Sequence, residues 1–590
     1  MTHLSCKKFL VILFLLVAFS LLADAEKPAL LKLRYNENYS PTYDEVIEMY
    51  KQLDATYSQA RLIEAGLTDS GRPLHTFVIS RSGNFDAETI RSEGKTVVLI
   101  NNGIHPGEPE GIDASLEFAD DILRNKDGMG AWLEHSVLVI IPVYNIGGAL
   151  NRSAYNRSGQ TTPYETGFRG NYGNLDLNRD FTKCDSENAR SFTRIFQYWN
   201  PDLFLDTHTT NGSDHQHAIT MIPPQPDQFP GTMRDFLRKT FLPGLYREMG
   251  NGQYPLIPYV DYFYEDVRDG IRGGQEGPRF SSGYAALFHS YGMMTENLIY
   301  ASYPDRVRST YDFIRSLVKL SADHQQEILS SRKKGIEESM TAGKFSLSYE
   351  IDTTRFQMIE FHGYEVDRQQ ISPVTGLPRL GYDRNRPFTA SIRYYDTYKP
   401  LLEIDIPDYF VVPQAWKPVL ERLALNKVEY RVLERDTIIR VLVDYLDEVT
   451  SQNRPYNGHF FHSQVLTRSE IQEVRYFAGD WIIPVRQERI RYILEMLEPK
   501  ARDSFLRWNF FDSVLDQREY FSSFGFEENA LRTLEEFPEL KKGLEERRKT
   551  DPEFAKNHRA QLQYIYENSP WLEKSWKRYP VGKIMGRLEY

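Results

Sequence analysis

Four short apolar runs, separated by helical patterns, occur between residues 96 and 327. Each run predicts a buried strand, and the runs are residues 96–100, 137–143, 203–205 and 293–295. Amphipathic patterns predict helices over residues 112–123, 188–199 and 306–327. Continuous apolar strands that alternate with helices are typical of a mainly parallel sheet covered on both faces. The pattern therefore predicts an α/β fold with a mainly parallel mixed sheet flanked by helices.

The chain before this alternation predicts one helix and one strand. Val46, Ile47 and Tyr50 are apolar at helical spacing and predict a helix over residues 41–66. A turn-forming stretch then leads into a predicted strand over residues 74–80.

The pattern changes after residues 330–344, a polar and charged segment that we interpret as a domain junction. Short strand-like runs follow to residue 406, and residues 415–425 and 430–443 predict a helix and a strand-rich segment. From residue 486 onward the pattern is mostly helical. We therefore predict an α+β C-terminal region over residues 345–590 that ends mostly helical. Its sequence suggests no catalytic constellation.

The length of 590 residues supports this division, because a single hydrophobic core stops growing at roughly 250–300 residues. The hydrophobic share of 41% and the aromatic share of 13% are those of a folded protein. The net charge of -11 gives no support to nucleic-acid binding. We therefore expect at least two folded domains and no nucleic-acid partner.

The first residues have the pattern of an export signal. Two lysines precede an apolar run over residues 9–23, and Ala-Asp-Ala at residues 23–25 is a small-residue cleavage site. The run is shorter than the ~20 residues that a membrane-spanning helix needs. We predict a signal peptide over residues 1–25 and a secreted or periplasmic protein without a stable membrane span. Cleavage leaves one cysteine, Cys184, which excludes an internal disulfide and a thiolate zinc cluster.

The spacing His-x-x-Glu, which can place two metal ligands on one turn, occurs three times: at His105/Glu108, His324/Glu327 and His362/Glu365. In a chain of this length the spacing alone is close to chance level, so position must discriminate between the copies. The copy at His324 lies in a surface-like helix, and the copy at His362 lies in a predicted strand of the C-terminal region. We interpret both of these as solvated residues.

The copy at His105 follows directly on the predicted strand over residues 96–100. In a parallel sheet, binding sites form at the carboxyl ends of the strands. Pro106 stiffens the turn and Gly107 permits a tight path, so His105 and Glu108 can face one point. We therefore predict that these two residues are metal ligands.

A catalytic zinc needs three protein ligands and an open fourth position. His208 is the best candidate for the third ligand, because it follows the predicted strand at residues 203–205. His215 and His217 are rivals, but they lie further along the loop, past Gly212. We therefore predict one Zn²⁺ held by His105, Glu108 and His208.

His105-x-x-Glu108, the segment Leu-Asp-Leu-Asn-Arg-Asp-Phe at residues 175–181, and His208 together resemble the M14 family of zinc carboxypeptidases. The resemblance covers roughly residues 40–325, and the Asp-x-Asn-Arg element is its most specific part. It implies a catalytic domain over residues 26–330 that hydrolyses C-terminal peptide bonds through a zinc-activated water. The implied substrate is a peptide or protein with a free C-terminal carboxylate.

The resemblance also implies the roles of the residues around the metal. Glu296, in Thr-Glu-Asn at the end of a predicted strand, matches the family's catalytic glutamate, a general acid and base. Asp176 matches the carboxylate that orients the first histidine ligand. Asn178 and Arg179 match the pair that binds the substrate's terminal carboxylate, for which the planar guanidinium of arginine is suited.

Arg169 matches the arginine that stabilises the developing oxyanion, and Arg157 and Arg152 are less favoured for this role. The family also has a tyrosine that closes over the substrate, and the sequence does not place it. Tyr284 lies closer to the catalytic glutamate than in the usual pattern, and Tyr262 and Tyr264 lie in a loop without a clear match. The glycine-rich stretch over residues 273–280 is a candidate lining of the pocket.

Two other functions remain open at this point. An amidohydrolase of the same clan would act on cell-wall peptides or acylated amino acids and would use the same metal site. A non-catalytic binding protein on this scaffold would usually lack a metal ligand or the glutamate, and none of them is missing here.

Overall fold

The computed structural model describes residues 29–210, 212–260 and 266–587. The predicted signal peptide over residues 1–25 lies outside the described residues. The chain forms two compact units. The first contains the described residues up to Ile406 together with Glu421–Glu429 and Val485–Ser504, and the second contains Pro407–Leu420, Tyr430–Pro484 and the described residues from Phe505 onward. The domain limits at residues 26–330 and 345–590 stay a prediction.

An eight-stranded mixed sheet lies at the centre of the first unit, in the order β1-β2-β4-β3-β5-β9-β6-β7. The strands of this unit are β1 (Ala60–Leu67), β2 (Pro73–Ile79), β3 (Thr96–Asn101), β4 (Ser136–Ile141), β5 (Leu203–Thr210), β6 (Ile219–Ile222), β7 (Ile257–Pro258), β8 (Ile271–Arg272), β9 (Tyr291–Leu298), β10 (Lys344–Ile351), β11 (Gln357–Ile371), β12 (Pro378–Tyr395) and β13 (Tyr398–Asp405). The four central strands β4, β3, β5 and β9 are parallel. β2 pairs antiparallel with both β1 and β4, and β6 pairs antiparallel with β9 but parallel with β7. The predicted mixed α/β sheet is confirmed.

Helices accompany this sheet along the whole first unit. Their bounds are Tyr43–Thr56, Ala87–Ser92, Glu110–Leu123, Ile146–Leu150, Glu187–Trp199, Gly231–Phe236, Leu242–Gly250, Ser281–Leu287, Tyr303–Asp323, Gln325–Thr341 and Ile490–Leu497. Every residue of β3, β4 and β5 is buried, as expected for strands that are covered on both faces. The large cluster of buried apolar residues in this unit joins strand and helix side chains, among them Val98, Leu116 and Leu205.

The helix predicted over residues 41–66 is shorter in the structure, and the prediction was wrong for its second half. Thr42 and Glu45 form a reciprocal capping box at its start, and the helix ends at Thr56. Tyr57 has an extended backbone, and residues 60–67 form β1, which pairs antiparallel with β2. Hydrogen bonds to a strand that lies further along the chain decide the conformation here, and a local apolar pattern does not contain that information.

The polar segment 330–344 is mostly helical, because the helix Gln325–Thr341 covers it. After it, β10 pairs with β13 and β11 pairs with β12, in both cases antiparallel. The predicted short strand-like runs are therefore strands, two of them 15 and 18 residues long.

The second unit contains a six-stranded sheet with the order β15-β18-β14-β19-β16-β17. Its strands are β14 (Tyr409–Val412), β15 (Arg431–Val432), β16 (Thr437–Ser451), β17 (His462–Tyr476), β18 (Trp481–Pro484) and β19 (Gly582–Ile584). The helices near the C-terminus are Ser523–Glu536, Pro538–Thr550, Pro552–Ala555 and His558–Glu567, and the helix predicted over residues 415–425 is present as Lys417–Leu425. The C-terminal region thus contains both sheets and helices, as predicted. Within the described ranges, no helix is both long and apolar enough to cross a bilayer.

Candidate metal and peptidase site

The three predicted metal ligands come together near the carboxyl ends of the central strands. The turn that carries His105 and Glu108 starts four residues after β3, and the Glu108 amide closes it by donating to the His105 carbonyl at 2.8 Å. His208 lies within β5, the parallel neighbour of β3. All three side chains are buried, at 3% exposure or less. The turn with His105 and Glu108 thus follows the end of β3, whereas His208, which the sequence placed after its strand, is inside β5 close to the end of that strand.

Each histidine is held by a carboxylate on one ring nitrogen and faces Glu108 with the other. The Nε2 atom of His105 lies 2.9 Å from Asp176 Oδ1, and the Nε2 atom of His208 lies 3.0 Å from Asp206 Oδ2. The two Nδ1 atoms lie 3.4 Å and 3.1 Å from the oxygens of Glu108. Carboxylates that brace histidines in this way fix the ring orientation and the tautomer of metal ligands.

The donor set fits a catalytic zinc ion. Ligand atoms of His105, Glu108 and His208 all lie within 4.8 Å of one another, and no other such group of three occurs among residues 29–210, 212–260 and 266–587. The Nδ1 atom of His105 is buried without a hydrogen-bond partner, which is costly unless another group binds it. Two imidazole nitrogens and one carboxylate are a ligand set of catalytic zinc sites.

The charges within this cluster are strongly coupled. Burial opposes ionisation of Glu108, but Arg157 and His105 outweigh it and hold the pKa of that carboxyl well below its usual range. Burial also disfavours the charged form of His208, but Asp206 and Glu108 outweigh this effect and raise its pKa well above the usual value. The cluster therefore presents an ionised carboxylate, which is the form that binds a metal cation.

Glu296 lies beside His208 across one pair of strands. In the register of the parallel strands β5 and β9, His208 is the partner of Glu296. The Oε2 atom of Glu296 is shielded from solvent and has no hydrogen-bond partner. Burial and the nearby carboxylates of Glu108 and Glu276 raise the pKa of Glu296 to about 8, although His208 acts in the opposite direction. A carboxyl group with a raised pKa is suited to accept a proton and to release it again.

The residues predicted to bind substrate follow each other on one segment. Asp176 caps the short 3-10 helix Leu177–Arg179, and its Oδ1 atom accepts a hydrogen bond from the Asn178 amide at 2.9 Å. Asn178 Oδ1 accepts the Ser281 amide at 3.2 Å, and the guanidinium of Arg179 lies 4.3 Å from the centre of the Phe280 ring.

Arg169 reaches the same place from the preceding loop. Its Nε and Nη2 atoms lie 3.0 Å from Asp176 Oδ2, and its side chain remains 45% exposed. Burial opposes ionisation of Asp176, but His105, Arg169 and Arg179 outweigh it and lower its pKa. Asp176 thus connects the first histidine ligand with the candidate oxyanion arginine.

One cleft of about 350 Å³ brings these groups together. Of the predicted site residues, the cleft is lined by His105, Glu108, Arg169, Asn178, Arg179, His208 and Glu296. Asp176 is the exception, and it acts through His105 and Arg169 instead. The lining also contains Glu276 and Phe280, so the glycine-rich stretch over residues 273–280 does contribute to the pocket wall.

The other histidines do not join this site. His324 Nδ1 lies 3.5 Å from Glu327 in an exposed pair, and Glu365 pairs with Arg268 instead of with His362. The ring of His362 lies against that of His217, at 5.4 Å between centroids. His215 and His217 are buried near β11, where the backbone of His215 bridges to that of Gly363.

The tyrosines divide in a similar way. Tyr284 is fully buried and donates a hydrogen bond to Asn426 at 2.7 Å, so it does not reach the cleft. Tyr262 and Tyr264 lie outside the described residues. Tyr259 lines the cleft, and its hydroxyl lies 3.0 Å from Thr210 Oγ1.

Two contacts of the site were not predicted. Asp206, which braces His208, lies two positions before it on β5, and the two-residue period of a strand places both on one face. That spacing is a signal from which Asp206 could have been found. Arg157, considered only as a weaker oxyanion candidate, forms an ion pair with Glu108 instead. No local sequence pattern indicates that contact.

The two buried histidines predict a dependence of stability on pH. Burial lowers the pKa of His215 to about 3 and that of His217 to about 4. In the unfolded chain both histidines become protonated near pH ~6.5, whereas in the folded chain they stay neutral to lower pH. The stabilisation linked to these two groups is therefore fully present above pH ~6.5 and is lost as the pH falls towards their folded-state pKa values. At about pH 5 we expect a loss on the order of 2 kcal/mol for each histidine.

The measurement is the unfolding midpoint at neutral pH and at about pH 5. His217→Asn should show a smaller drop between the two conditions than the unsubstituted protein, whereas replacement of the exposed His558 should leave the drop unchanged. An equal drop in all three proteins would contradict the assignment.

Comparison with known proteins finds a similarity to zinc carboxypeptidases. Residues 46–220 match the sequence profile of the zinc carboxypeptidases, Peptidase_M14. Carboxypeptidase 2 of Trichophyton rubrum is 25% identical over 170 residues, which cover 28% of this chain and 28% of that relative. Carboxypeptidase 2 of Trichophyton tonsurans is 20% identical over 486 residues, which cover 79% of this chain and 83% of the relative.

Solved structures with the same kind of description also align with part of the chain. A metallo-carboxypeptidase from Pseudomonas aeruginosa is 16% identical with a TM-score of 0.37, and the alignment covers 49% of this chain and 70% of that structure. Carboxypeptidase A from Helicoverpa armigera is 15% identical with a TM-score of 0.35, with 48% and 74% covered. The cofactor of the matched family is Zn²⁺, which the cluster of His105, Glu108 and His208 is able to bind. Residues 46–220, which contain all three candidate metal ligands, thus match the M14 family of zinc carboxypeptidases.

Proposed function

We propose that this protein is a zinc-dependent metallocarboxypeptidase that hydrolyses C-terminal peptide bonds, with Glu296 as the general acid and base. The observation that supports this most directly is the register of β5 and β9, which places Glu296 next to the metal ligand His208. Both face the same cleft as Asn178 and Arg179. A metal site, a proton acceptor and a carboxylate-binding pair are the three parts that such a reaction requires.

His105, Glu108 and His208 would hold the zinc ion, which would supply Lewis acidity for the activation of the attacking water and for the polarisation of the scissile carbonyl. Glu296 accepts the proton of the attacking water at its free Oε2 atom and then delivers it to the leaving nitrogen. Arg169 donates hydrogen bonds to the oxyanion that develops on the scissile carbonyl. The products are a shortened peptide with a new carboxylate and a free amino acid.

Arg179 sets the position of the cut in this proposal. A guanidinium binds a carboxylate through two parallel hydrogen bonds, and Asn178 adds a further donor to the same group. The cation of Arg179 lies over the Phe280 ring, which limits its movement. A substrate with a free C-terminal carboxylate is therefore placed with its last peptide bond near Glu296.

Arg179→Met should lower kcat/KM for a peptide with a free C-terminus roughly 100-fold, which corresponds to about 3 kcal/mol of lost transition-state stabilisation. The reason is that the charge-assisted hydrogen bonds between Arg179 and the substrate carboxylate are lost. The matched control is the same peptide with a C-terminal amide, which the unsubstituted enzyme should cleave poorly and which the variant should cleave no worse. Steady-state kinetics with both peptides give the answer. Equal selectivity of both enzymes for the free carboxylate would contradict the role of Arg179.

The substrate class is tested by comparison of three sets: peptides and proteins with free C-termini, cell-wall peptides, and acylated amino acids. Preference for the second or third set would favour an amidohydrolase of the same clan. Metal-loaded protein that cleaves none of the sets would favour a binding protein. Fast release of C-terminal residues from ordinary peptides supports the carboxypeptidase.

We further propose that the protein is exported and acts outside the cytoplasm, in the periplasm or the medium. The support is the apolar run over residues 9–23 and the Ala-Asp-Ala cleavage site that follows it. The N-terminal sequence of the protein recovered from the producing cells is the test, and a mature chain that begins at Glu26 is the expected result. A chain that retains residues 1–25 would contradict the proposal.

A further inference from the structure

Residues 151–167, which we call the anchored loop, pack against the metal ligands through one arginine. The loop lies between the helix Ile146–Leu150 and Arg169, and most of it is irregular. It is fixed at several points: Ser153 and Thr166 form a β-bridge, and Asn156 Nδ2 donates to the carbonyls of Asn151 and Thr166 at 2.8 Å each. A side chain carried by such a loop has a defined position.

Arg157 of this loop connects the two segments that carry the ligands. Its Nη1 atom forms an ion pair with Glu108 Oε1, and its Nη2 atom donates to the Thr209 carbonyl at 3.1 Å. The other oxygen of Glu108, Oε2, accepts the Thr209 amide at 3.0 Å. The Arg157 side chain is only 12% exposed, so water competes little for these contacts. Glu108 is thereby tied to the residue that follows His208.

The turn between His105 and Glu108 is shaped to admit this arginine. A Cβ atom on Gly107 would lie 2.7 Å from Arg157 Cδ and 3.2 Å from the Gly167 carbonyl oxygen. Glycine is therefore required at position 107 for the Arg157 stem to pass. Gln160, also in the anchored loop, donates to the Gly107 carbonyl at 3.0 Å. The Gly167 amide donates to the Pro106 carbonyl at 3.1 Å, so the loop contacts the ligand-bearing turn at three points.

We propose that Arg157 is a positioning residue for the metal site, which holds the carboxylate of Glu108 towards His105 and His208 and thereby raises the affinity of the site for zinc. Without Arg157, Glu108 keeps the Thr209 amide on Oε2 but loses its shortest contact on Oε1, so its carboxylate gains rotational freedom, and fixing it on metal binding then costs conformational entropy. The guanidinium is apt because its planar fork reaches Glu108 and the Thr209 carbonyl at once. Arg157 does not act on the substrate in this proposal, which rests on the proposed zinc-dependent function only through the identity of the metal.

The test is the zinc affinity of the full-length apoprotein, measured by competition with a chromogenic chelator at neutral pH. Arg157→Met should weaken zinc binding roughly 10- to 100-fold, as is typical for the loss of a group that holds a metal ligand. The zinc affinity of Arg157→Lys should lie between those of the unsubstituted protein and Arg157→Met, because one ammonium group cannot satisfy both acceptors. Arg152→Met is the matched control, since the hydrogen bonds of that arginine in the same loop go to the backbone carbonyls of residues 40, 41 and 165.

The unfolding midpoint of each apoprotein separates a local effect from general destabilisation. We expect the Arg157 variants to bind zinc more weakly while the unfolding midpoints of their apoproteins stay close to that of the unsubstituted apoprotein. At saturating metal they should still bind one zinc ion per chain. If Arg157→Met does not fold, Arg157→Lys carries the test alone. Unchanged or tighter zinc binding by the folded variants would overturn the role of Arg157. Failure of the unsubstituted protein to bind zinc would instead overturn the proposed function.

Discussion

Replacing Glu296 with glutamine should lower kcat by roughly 10³-fold, because the proposed general acid–base catalysis would be lost. The amide of glutamine has nearly the shape of the carboxyl group but cannot accept and return a proton. Glu296 is not one of the three residues whose ligand atoms cluster, so the zinc content should stay at one ion per chain. Its position within β9 is fixed by backbone pairing with β5, so the fold should also be unchanged. Steady-state kinetics together with metal analysis check both parts.

The control for this variant is Glu327→Gln, at the exposed glutamate of another His-x-x-Glu copy. It should retain full activity and metal content. Turnover by the Glu296 variant within a few-fold of the unsubstituted enzyme would contradict the assignment of Glu296. Loss of zinc together with turnover would indicate instead that Glu296 supports the metal site.

Removal of zinc with a strong chelator should abolish hydrolysis, and one equivalent of zinc should restore it. Removal of zinc should also lower the free energy of unfolding. A ligand that binds only the folded chain stabilises it by about 4 kcal/mol when the free ligand concentration is about 1,000 times the dissociation constant. The cluster has a second reason to be less stable without metal, since the buried Nδ1 atom of His105 has no hydrogen-bond partner. Thermal unfolding with and without added zinc measures this difference.

Two variants decide which histidines are responsible. His208→Asn should bind zinc weakly, show no hydrolysis and gain no stability from added zinc. His362→Asn, at the histidine that pairs with Glu360 on β11, should behave like the unsubstituted protein. A chelated enzyme that keeps its activity, or a His362 variant that loses its zinc, would be incompatible with the site described.

The central sheet and the metal site were predictable because both follow from rules that act along short stretches. Buried strands appear as unbroken apolar runs, and polar residues directly after them mark the end of the sheet where sites form. This selected His105 and Glu108 from three copies of the same spacing. Glu296 required the family resemblance as well, because a single carboxylate at the end of a strand is not a specific signal.

The features that were missed depend on contacts between distant parts of the chain. Residues 60–67 have an acceptable helical pattern, and only the hydrogen bonds to β2 make them a strand. The path of the anchored loop, and with it the position of Arg157, is fixed by side-chain hydrogen bonds and a single bridge, neither of which produces periodicity in the sequence. Tyr284 lies closer to Glu296 in the sequence than the family pattern places the closing tyrosine, and in the structure its ring packs in an aromatic core.

In the proposed reaction, the register between β5 and β9 separates bond breaking from substrate choice. The spacing of His208 and Glu296 is set by the backbone of two neighbouring strands, which no loop alters. Arg179, which binds the substrate carboxylate in the proposed reaction, and the cleft-lining residues Glu276 and Phe280 lie outside the large sheet. Evolution or protein engineering can therefore exchange the cleft wall around Glu276 and retune selectivity while the hydrolytic machinery is inherited intact.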